Sequence, residues 1–208
     1  MTDEAASRPQ LVFVTRNPGK VREISALLKG QFNVLSLDDI GCEDEIPETA
    51  PDLQGNARMK AAYVAERFGV DCFADDTGLE VEALGGRPGV HTARFAGPEA
   101  DAKANMHKLI RDLQDAPSRK AQFRTSMALI QGGKTTLFEG VCKGQIRNEQ
   151  TGLEGFGYDP VFAPTTIDDK GQERHELTFA EMPADDKNAI SHRGHAVRAM
   201  VEYLLEAH

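Results

Sequence analysis

The 208-residue chain contains no tryptophan and three cysteines. Cys42, Cys72 and Cys142 are far apart in the sequence, which excludes the closely spaced cysteine pairs of local zinc sites and gives no framework of disulfides. Each cysteine is interpreted as a small buried apolar residue in a reducing compartment. We therefore expect a cytoplasmic protein.

The chain also lacks a long apolar run and an excess of positive charge. No segment approaches the ~20 apolar residues of a membrane span, so we expect no contact with a membrane. The formal net charge of −9 argues against broad nucleic-acid binding, which needs a basic face. A small anionic substrate remains compatible with this charge, because a metal ion and a few basic side chains can reverse the field inside one cleft.

The first ten residues are polar and do not follow the basic-then-apolar order of a secretory signal. We expect residues 1–9 to form a disordered tail and residues 10–208 to form a single domain.

A run of small and apolar residues from Val70 to Ala74 leads into the most informative segment of the chain. The predicted strand ends in two adjacent carboxylates, Asp75 and Asp76, and a glycine-rich loop with Arg87 and Arg94 follows. Carboxylates at the end of a strand suit a hard cation such as Mg²⁺, and arginines suit phosphate. If the strand continued, the two carboxylates would face opposite sides of it. Acidic residues that merely open a turn are the alternative interpretation.

The N-terminal strand, turn and helix have the layout of an anion site. Leu11 to Val14 reads as a buried strand, and Thr15–Lys20 reads as the turn before a helix. Asn17 is a candidate N-cap, with Pro18 at the first helical position. Lys20 could then reach a phosphate held at the helix N-terminus. Taken alone, a plain cap with Lys20 in solvent explains the same pattern.

The other predicted elements are helices and strands in alternation, typical of an α/β protein with a mixed sheet. They are helices at about 53–68, 99–115 and 192–207, and a hairpin of strands at about 121–131 and 134–146. Two stretches, 31–51 and 165–176, read as irregular.

Two short segments in the second half combine aromatic, basic and acidic residues. Gly155–Pro160 is a glycine-rich turn whose aromatic rings could stack a nucleobase or pack into the core. Ser191–Gly194 begins the last helix with Ser191 as a candidate N-cap. His192 and Arg193 then lie in the first turn, where the helix dipole disfavours cations. A solvated first turn is the alternative.

Four segments taken together and in order resemble the inosine triphosphate pyrophosphatase family of non-canonical purine nucleoside triphosphate pyrophosphatases. They are Thr15–Lys20, Ala74–Gly97, Gly155–Pro160 and Ala189–Gly194. The resemblance implies a mixed central β-sheet flanked by helices, in two lobes with a nucleotide-binding cleft between them. It also implies a homodimer that uses Mg²⁺ to hydrolyse ITP, dITP, XTP and dXTP to the monophosphate and pyrophosphate.

The resemblance assigns roles to individual residues. Asp76 matches the general base and a metal ligand, and Glu48 is the nearest substitute for a second metal-binding glutamate, with Glu45 as the alternative. The substrate-binding residues that it implies are Thr15, Arg16, Asn17, Pro18, Gly19, Lys20, Thr77, Phe156, Gly157, Tyr158, Asp159, Lys187, His192 and Arg193.

Two other functions remain open at this point. The first is a Maf-like pyrophosphatase with a different base preference, and the second is a nucleotide-binding sensor without turnover.

Hydrogen-bond donors from Lys187, Arg193 or the backbone would favour a 6-oxo purine, because an adenine amino group would leave those donors unpaired.

Overall fold

The computed structural model describes residues 8–28 and 30–206. Most of the predicted tail, residues 1–7, and the predicted last residue of the final helix, Ala207, lie outside the described residues. The strands are β1 (Gln10–Phe13), β2 (Asn33–Leu35), β3 (Cys72–Val81), β4 (Pro88–Gly89), β5 (Lys120–Gln131), β6 (Lys134–Ile146), β7 (Phe162–Pro164), β8 (Thr166–Ile167) and β9 (Glu173–Arg174). The helices are α1 (Pro18–Leu27), α2 (Leu53–Phe68), α3 (Ala102–Asp112), α4 (Ala184–Ile190) and α5 (His192–Glu206).

A seven-stranded sheet has the order β2-β1-β3-β5-β6-β7, with β4 paired to β3. Strand β1 runs parallel to β2 and β3, whereas β3–β4 and β6–β7 are antiparallel. The mixed sheet predicted from the sequence is therefore confirmed. Strands β5 and β6 are joined by Gly132 and Gly133, both with positive φ, as a two-residue hairpin turn requires.

The chain divides into two compact units. Unit 1 contains the described residues up to Asp76, Thr125–Gly140, and the chain from Arg193 onward. Unit 2 contains Thr77–Arg124 and Val141–His192. None of the helices within the described residues is both long and apolar enough to span a bilayer.

In unit 1 the sheet is covered by helices on both faces. Phe13 and Phe73 stack at 4.6 Å between ring centroids and pack in one cluster with Ile24 of α1 and Met200 of α5. The opposite face carries a second cluster, in which strand residues such as Ala74 pack against α2. Successive strand residues point to opposite faces, so this alternation decides where the next two residues, Asp75 and Asp76, are directed.

The predicted end of the strand at Asp75–Asp76 is wrong, because β3 continues to Val81. Leu79 and Val81 are fully buried at alternate positions, a period-two pattern that the glycine-rich sequence around them obscures. The two carboxylates therefore lie within a strand and face opposite layers.

The prediction of irregular structure was also wrong in two places. Strand β2 occupies part of 31–51, and the small β8–β9 hairpin occupies part of 165–176. Helix α4 was not predicted, because its seven residues are too few to show a helical period. Helix α3 begins later than expected because Asp101 caps it by accepting from the Ala104 amide.

In unit 2 an aromatic and aliphatic core forms beneath the strands. Phe123 contacts Phe162 edge to face at 4.7 Å, and Leu109 of α3 is fully buried in the same cluster as Phe179. This core supports the loop that carries Phe156 and the start of α5.

Candidate functional site

The β1–α1 turn adopts the predicted capped geometry. The Asn17 side chain accepts hydrogen bonds from the amides of Gly19 at 2.9 Å and Lys20 at 3.3 Å, and Pro18 is the first helical residue. The Thr15 hydroxyl accepts from the Asn17 amide at 3.2 Å. Since Asn17 already engages these amides, and Pro18 has no N–H, side chains must supply much of any anion binding here.

Lys20 lies in a buried ion-pair network rather than in solvent, so the alternative of a solvated lysine is wrong. Its Nζ donates to Asp75 Oδ1 at 2.8 Å. Arg193 Nε and Nη2 each donate to Asp75 Oδ2 at 3.2 Å, and Arg193 Nη1 donates to Glu23. We call Lys20, Glu23, Asp75 and Arg193 the Asp75 network.

The charges in the Asp75 network shift the pKa values of its members. Full burial alone would raise the pKa of Asp75, but the charges of Lys20 and Arg193 outweigh it and hold that pKa well below the usual range. Burial lowers the pKa of Lys20 despite its contact with Asp75. The carboxylate therefore stays ionised and holds two cationic side chains in place.

Asp76, on the opposite face of β3, contacts helix α2. Its Oδ2 accepts from Asn56 Nδ2 at 3.1 Å, and its Oδ1 lies 3.8 Å from Lys60 Nζ. Lys60 Nζ also donates to Glu48 Oε1 at 2.6 Å and to the Asp75 carbonyl at 2.7 Å. We call Glu48, Asn56, Lys60 and Asp76 the Asp76 network.

Burial, as the largest effect, raises the pKa of Asp76 above the ordinary value, although Lys60 opposes that shift. Burial alone would lower the pKa of Lys60, but Asp76, Asp75 and Glu48 together raise it. Lys60 is thus charged at neutral pH and approaches two carboxylates, those of Glu48 and Asp76. A carboxylate with a raised pKa is better matched to accepting a proton than an ordinary aspartate.

The oxygen donors of the Asp76 network fit a Mg²⁺ ion. Asp76 and Glu48 both approach the Lys60 ammonium, so the two carboxylates lie near one another. Within residues 8–28 and 30–206, no group of three or more His, Cys, Asp or Glu side chains is arranged around a common metal position. Mg²⁺ commonly takes one or two carboxylates and completes its shell with water and substrate phosphates. Glu45 is exposed.

Sequence reasoning missed three residues of these networks, Glu23, Asn56 and Lys60, and it recognised Asp75 only as one half of the acidic pair. A signal for two of them existed. Asn56 and Lys60 are four residues apart and fall on the buried stripe of α2 beside Ala57 and Ala61. A buried lysine on an apolar stripe requires a charged partner, and the partners could not be identified from the sequence.

The Arg16 side chain contacts a neighbouring segment of unit 1. Its Nη2 donates to the carbonyl oxygens of Cys42 at 2.7 Å and Asp44 at 3.2 Å, and its Nη1 lies 3.4 Å from Asp38 Oδ1.

In unit 2, Asp159 binds two other predicted site residues. Its Oδ2 accepts from Lys187 Nζ and from the Phe156 amide, each at 2.7 Å. The Lys187 ammonium lies 5.1 Å from the centroid of the Phe156 ring and 5.5 Å from that of Phe179. Asp159 and Lys187 are buried, whereas Phe156 is partly exposed. A half-exposed ring and an ammonium group thus lie side by side.

Tyr158 and His192 pack into the core of unit 2. The buried Tyr158 hydroxyl donates to the Thr92 carbonyl at 2.9 Å, and burial raises its pKa. The His192 ring stacks on Phe123 at 4.6 Å. The prediction of a solvated first turn is therefore wrong, since His192 and Arg193 are both buried.

The other two predicted substrate-binding residues are Gly157 and Thr77. Gly157, with φ of +64°, lies between Phe156 and Tyr158, and Thr77 follows Asp76 on β3.

Each unit therefore assembles part of the predicted set. Unit 1 holds the β1–α1 turn, Glu48, Asp76 and Arg193, whereas unit 2 holds Thr77, the Phe156–Asp159 loop, Lys187 and His192.

Comparison with known proteins identifies the family of the chain. A model of the Ham1 family matches residues 11–203. The chain belongs to the Ham1 family. It is 51% identical to a dITP/XTP pyrophosphatase of Porphyromonas gingivalis over 94% of this chain and 97% of that protein. It is 47% identical to a protein of the same name from Flavobacterium johnsoniae, again over 94% and 97%.

Solved Ham1 structures share the fold. The Staphylococcus aureus Ham1 protein has a TM-score of 0.81 at 30% identity, covering 96% of this chain and all of that one. A HAM1 protein of Coxiella burnetii has a TM-score of 0.82 at 32% identity, covering 95% and 99%. The family and fold class predicted from the four sequence segments are thereby confirmed.

Proposed function

We propose that this chain hydrolyses the purine nucleoside triphosphates dITP, ITP, XTP and dXTP to the monophosphate and pyrophosphate, which removes them from the nucleotide pool. The names and the high coverage of its Ham1 relatives support this reaction. The observation that carries it is the pair of adjacent carboxylates on β3. Asp75 organises two cations on one face, and Asp76 approaches a lysine and a second carboxylate on the other.

The Asp75 network would contribute phosphate binding. Lys20 Nζ makes one hydrogen bond to Asp75 and has further protons to donate to a phosphate oxygen. Arg193, held by Asp75 and Glu23, would add a positive charge that is fixed in place. Because Asp75 is buried and ionised, these cations keep their positions before the substrate arrives, which lowers the cost of ordering them.

The Asp76 network would contribute the proton acceptor. In the proposed reaction a water molecule attacks the α-phosphorus, its proton passes to Asp76, and the bond to the bridging oxygen breaks to release pyrophosphate. Asn56 and Lys60 orient the Asp76 carboxylate for this role.

Asp76 and Glu48 would hold Mg²⁺, with Lys60 Nζ positioned between them. When bound, the ion neutralises charge on the phosphate oxygens. Lys60 would also limit the repulsion between the two carboxylates when no metal ion is bound.

Base recognition would fall to unit 2. The Phe156 ring offers a partly exposed face for a purine, and Lys187 offers a donor beside that face. A 6-oxo group would accept from such a donor, whereas the amino group of adenine would leave it unpaired, at a cost of about 1–3 kcal/mol. The homodimer, the cytoplasmic location and the single-domain organisation of residues 10–208 stay predictions from the sequence.

Release of pyrophosphate from purified protein with Mg²⁺ tests the proposed function. The substrates compared are ITP, dITP, XTP, GTP, ATP and dUTP, with orthophosphate measured in parallel. We expect pyrophosphate from ITP, dITP and XTP far above that from GTP and ATP. Release of orthophosphate alone would contradict attack at the α-phosphorus. A preference for other bases would favour a Maf-like enzyme, and tight binding without turnover would favour a sensor.

A further inference from the structure

Arg16 is bonded to a single short stretch of chain. Its guanidinium reaches the carbonyl oxygens of Cys42 and Asp44 and the carboxylate of Asp38. A planar guanidinium can serve several acceptors arranged around it, whereas a lysine would offer one point charge. Arg16 therefore connects the β1–α1 turn to the segment 38–44, which we call the Arg16-bound segment.

The Arg16-bound segment is fixed from more than one side. Cys42 is buried in the core cluster beneath α2, and its amide donates to the Leu37 carbonyl at 2.9 Å. The Asp44 carboxylate pairs with Arg67 Nε of α2 at 2.5 Å. Because the carbonyls of Cys42 and Asp44 both accept from Arg16, the direction in which the chain leaves this segment depends on that guanidinium.

Glu48 lies four residues beyond the Arg16-bound segment, on irregular chain. The next fixed point follows it, where the Ala50 amide donates to Asn56 Oδ1 at 2.9 Å. The Glu48 side chain is 39% exposed, and Lys60 Nζ bonds it from α2. The position of the Glu48 carboxylate, on irregular chain, therefore depends on both of these fixed points as well as on Lys60.

We propose that Arg16 is a positioning residue for Glu48. Through the Arg16-bound segment it couples the phosphate-binding turn to the second carboxylate of the Asp76 network. This inference rests on the proposed function for its consequence in catalysis. It differs from a direct contact between Arg16 and the triphosphate, because the Arg16 donors are directed to main-chain and side-chain oxygens of unit 1.

Hydrogen–deuterium exchange on the metal-free protein tests the positioning itself. The variants are Arg16→Ala and Arg16→Lys, with Arg22→Ala as a matched control, since Arg22 is an exposed arginine on α1. We expect faster exchange at the amides of 42–49 in Arg16→Ala, an intermediate rate in Arg16→Lys, and the wild-type rate in Arg22→Ala. Unchanged exchange across 42–49 in Arg16→Ala would overturn the proposal.

The Mg²⁺ dependence of pyrophosphate release tests the consequence. Partners that orient metal ligands commonly change metal affinity by about 10–100-fold when removed. We expect the Mg²⁺ concentration for half-maximal rate to rise about tenfold in Arg16→Ala, with little change in the KM for ITP at saturating Mg²⁺. A rise in the KM for ITP with an unchanged Mg²⁺ dependence would instead support direct phosphate contact and overturn the proposal.

A double-mutant cycle with Glu48→Gln separates an indirect effect from an additive one. If Arg16 acts through Glu48, then Arg16→Ala adds little to the Mg²⁺ dependence of Glu48→Gln. Independent, additive effects would contradict the coupling. If the wild-type protein releases no pyrophosphate, the proposed function fails. The exchange experiment still decides whether Arg16 positions the chain around Glu48.

Discussion

Asp75 and Asp76 are adjacent on β3, but the two faces of the strand place them in different environments. Asp75 is fully buried between Lys20 and Arg193, and its pKa is lowered. Asp76 accepts a hydrogen bond from the side-chain amide of Asn56, and its Oδ1 lies 3.8 Å from Lys60 Nζ. Burial raises the pKa of Asp76. Neighbouring carboxylates with pKa values moved in opposite directions are a common basis for dividing roles at a site. This difference agrees with the proposed division of roles, in which Asp75 holds the two cationic side chains and Asp76 accepts the proton.

Asp76→Asn gives the largest effect expected on activity. The amide keeps the shape of the side chain but removes the proton acceptor, so kcat for ITP should fall by about 10²–10⁴-fold. Stability should hold or rise, because a buried charge is removed. Steady-state kinetics and thermal unfolding on the same preparation measure both quantities. Turnover at the wild-type rate would remove Asp76 from its assigned role.

Asp75→Asn should affect stability first. The substitution leaves the partly buried Lys20 and the buried Arg193 beside a neutral amide, and breaking a buried ion pair from one side costs about 3 kcal/mol or more. Urea unfolding measures the free energy of unfolding, with Asp76→Asn as the matched neighbour. If both variants lost equal stability, the distinction between the two faces of β3 would be lost.

The acid limb of the stability curve should depend on Asp75. Its folded pKa lies below its unfolded value of about 3.9, so its stabilisation is fully present above that pH and declines as the pH falls through the folded value. The loss for such a paired carboxylate is on the order of 2 kcal/mol. Urea unfolding at a series of pH values from neutral to below pH 4 should show a shallower acid decline in Asp75→Asn than in the wild type. Parallel acid limbs would contradict the assignment.

The sequence was sufficient to predict the helices whose apolar periods are long. The Asn17 cap and Pro18 start of α1, and the hairpin between β5 and β6, were predicted from local residue preferences. Local preference could not predict that β3 continues through Asp75 and Asp76. That continuation depends on pairing with β1 and β4, which are distant in sequence.

The same limit applies to the candidate site. Family resemblance gave Lys20, Asp76 and Arg193, but nothing local indicated that Lys20 and Arg193 share one carboxylate, 55 and 118 positions away. Asp75 was interpreted only as part of an acidic pair, because its partners come from two helices at opposite ends of the chain. The role of Lys60 also depends on tertiary structure, since its carboxylate partners lie on a separate strand and on irregular chain.

The smallest effect expected on activity comes from a substitution in unit 2, and it sharpens the contrast with unit 1. Lys187→Met removes the ammonium beside Phe156 and leaves a side chain of similar length, so the loss of activity should fall on base selectivity rather than on bond cleavage. The buried Asp159 carboxylate also loses its cation, so the free energy of unfolding should fall as well. One unpaired donor is worth about 1–3 kcal/mol, and we expect the ratio of kcat/KM for ITP to that for ATP to fall about tenfold. Lys103→Met, at an exposed position on α3, is the matched control.

The contacts of Asp159 make the Lys187 variant informative. Asp159 would lose the Lys187 ammonium as a hydrogen-bond donor and keep the Phe156 amide, so the loop retains part of its support. A change in kcat alone, equal for ITP and ATP, would show that Lys187 serves the loop and not the base. A selective loss for ITP with kcat at saturating substrate largely retained would place recognition in unit 2 and leave the chemistry to the two faces of β3.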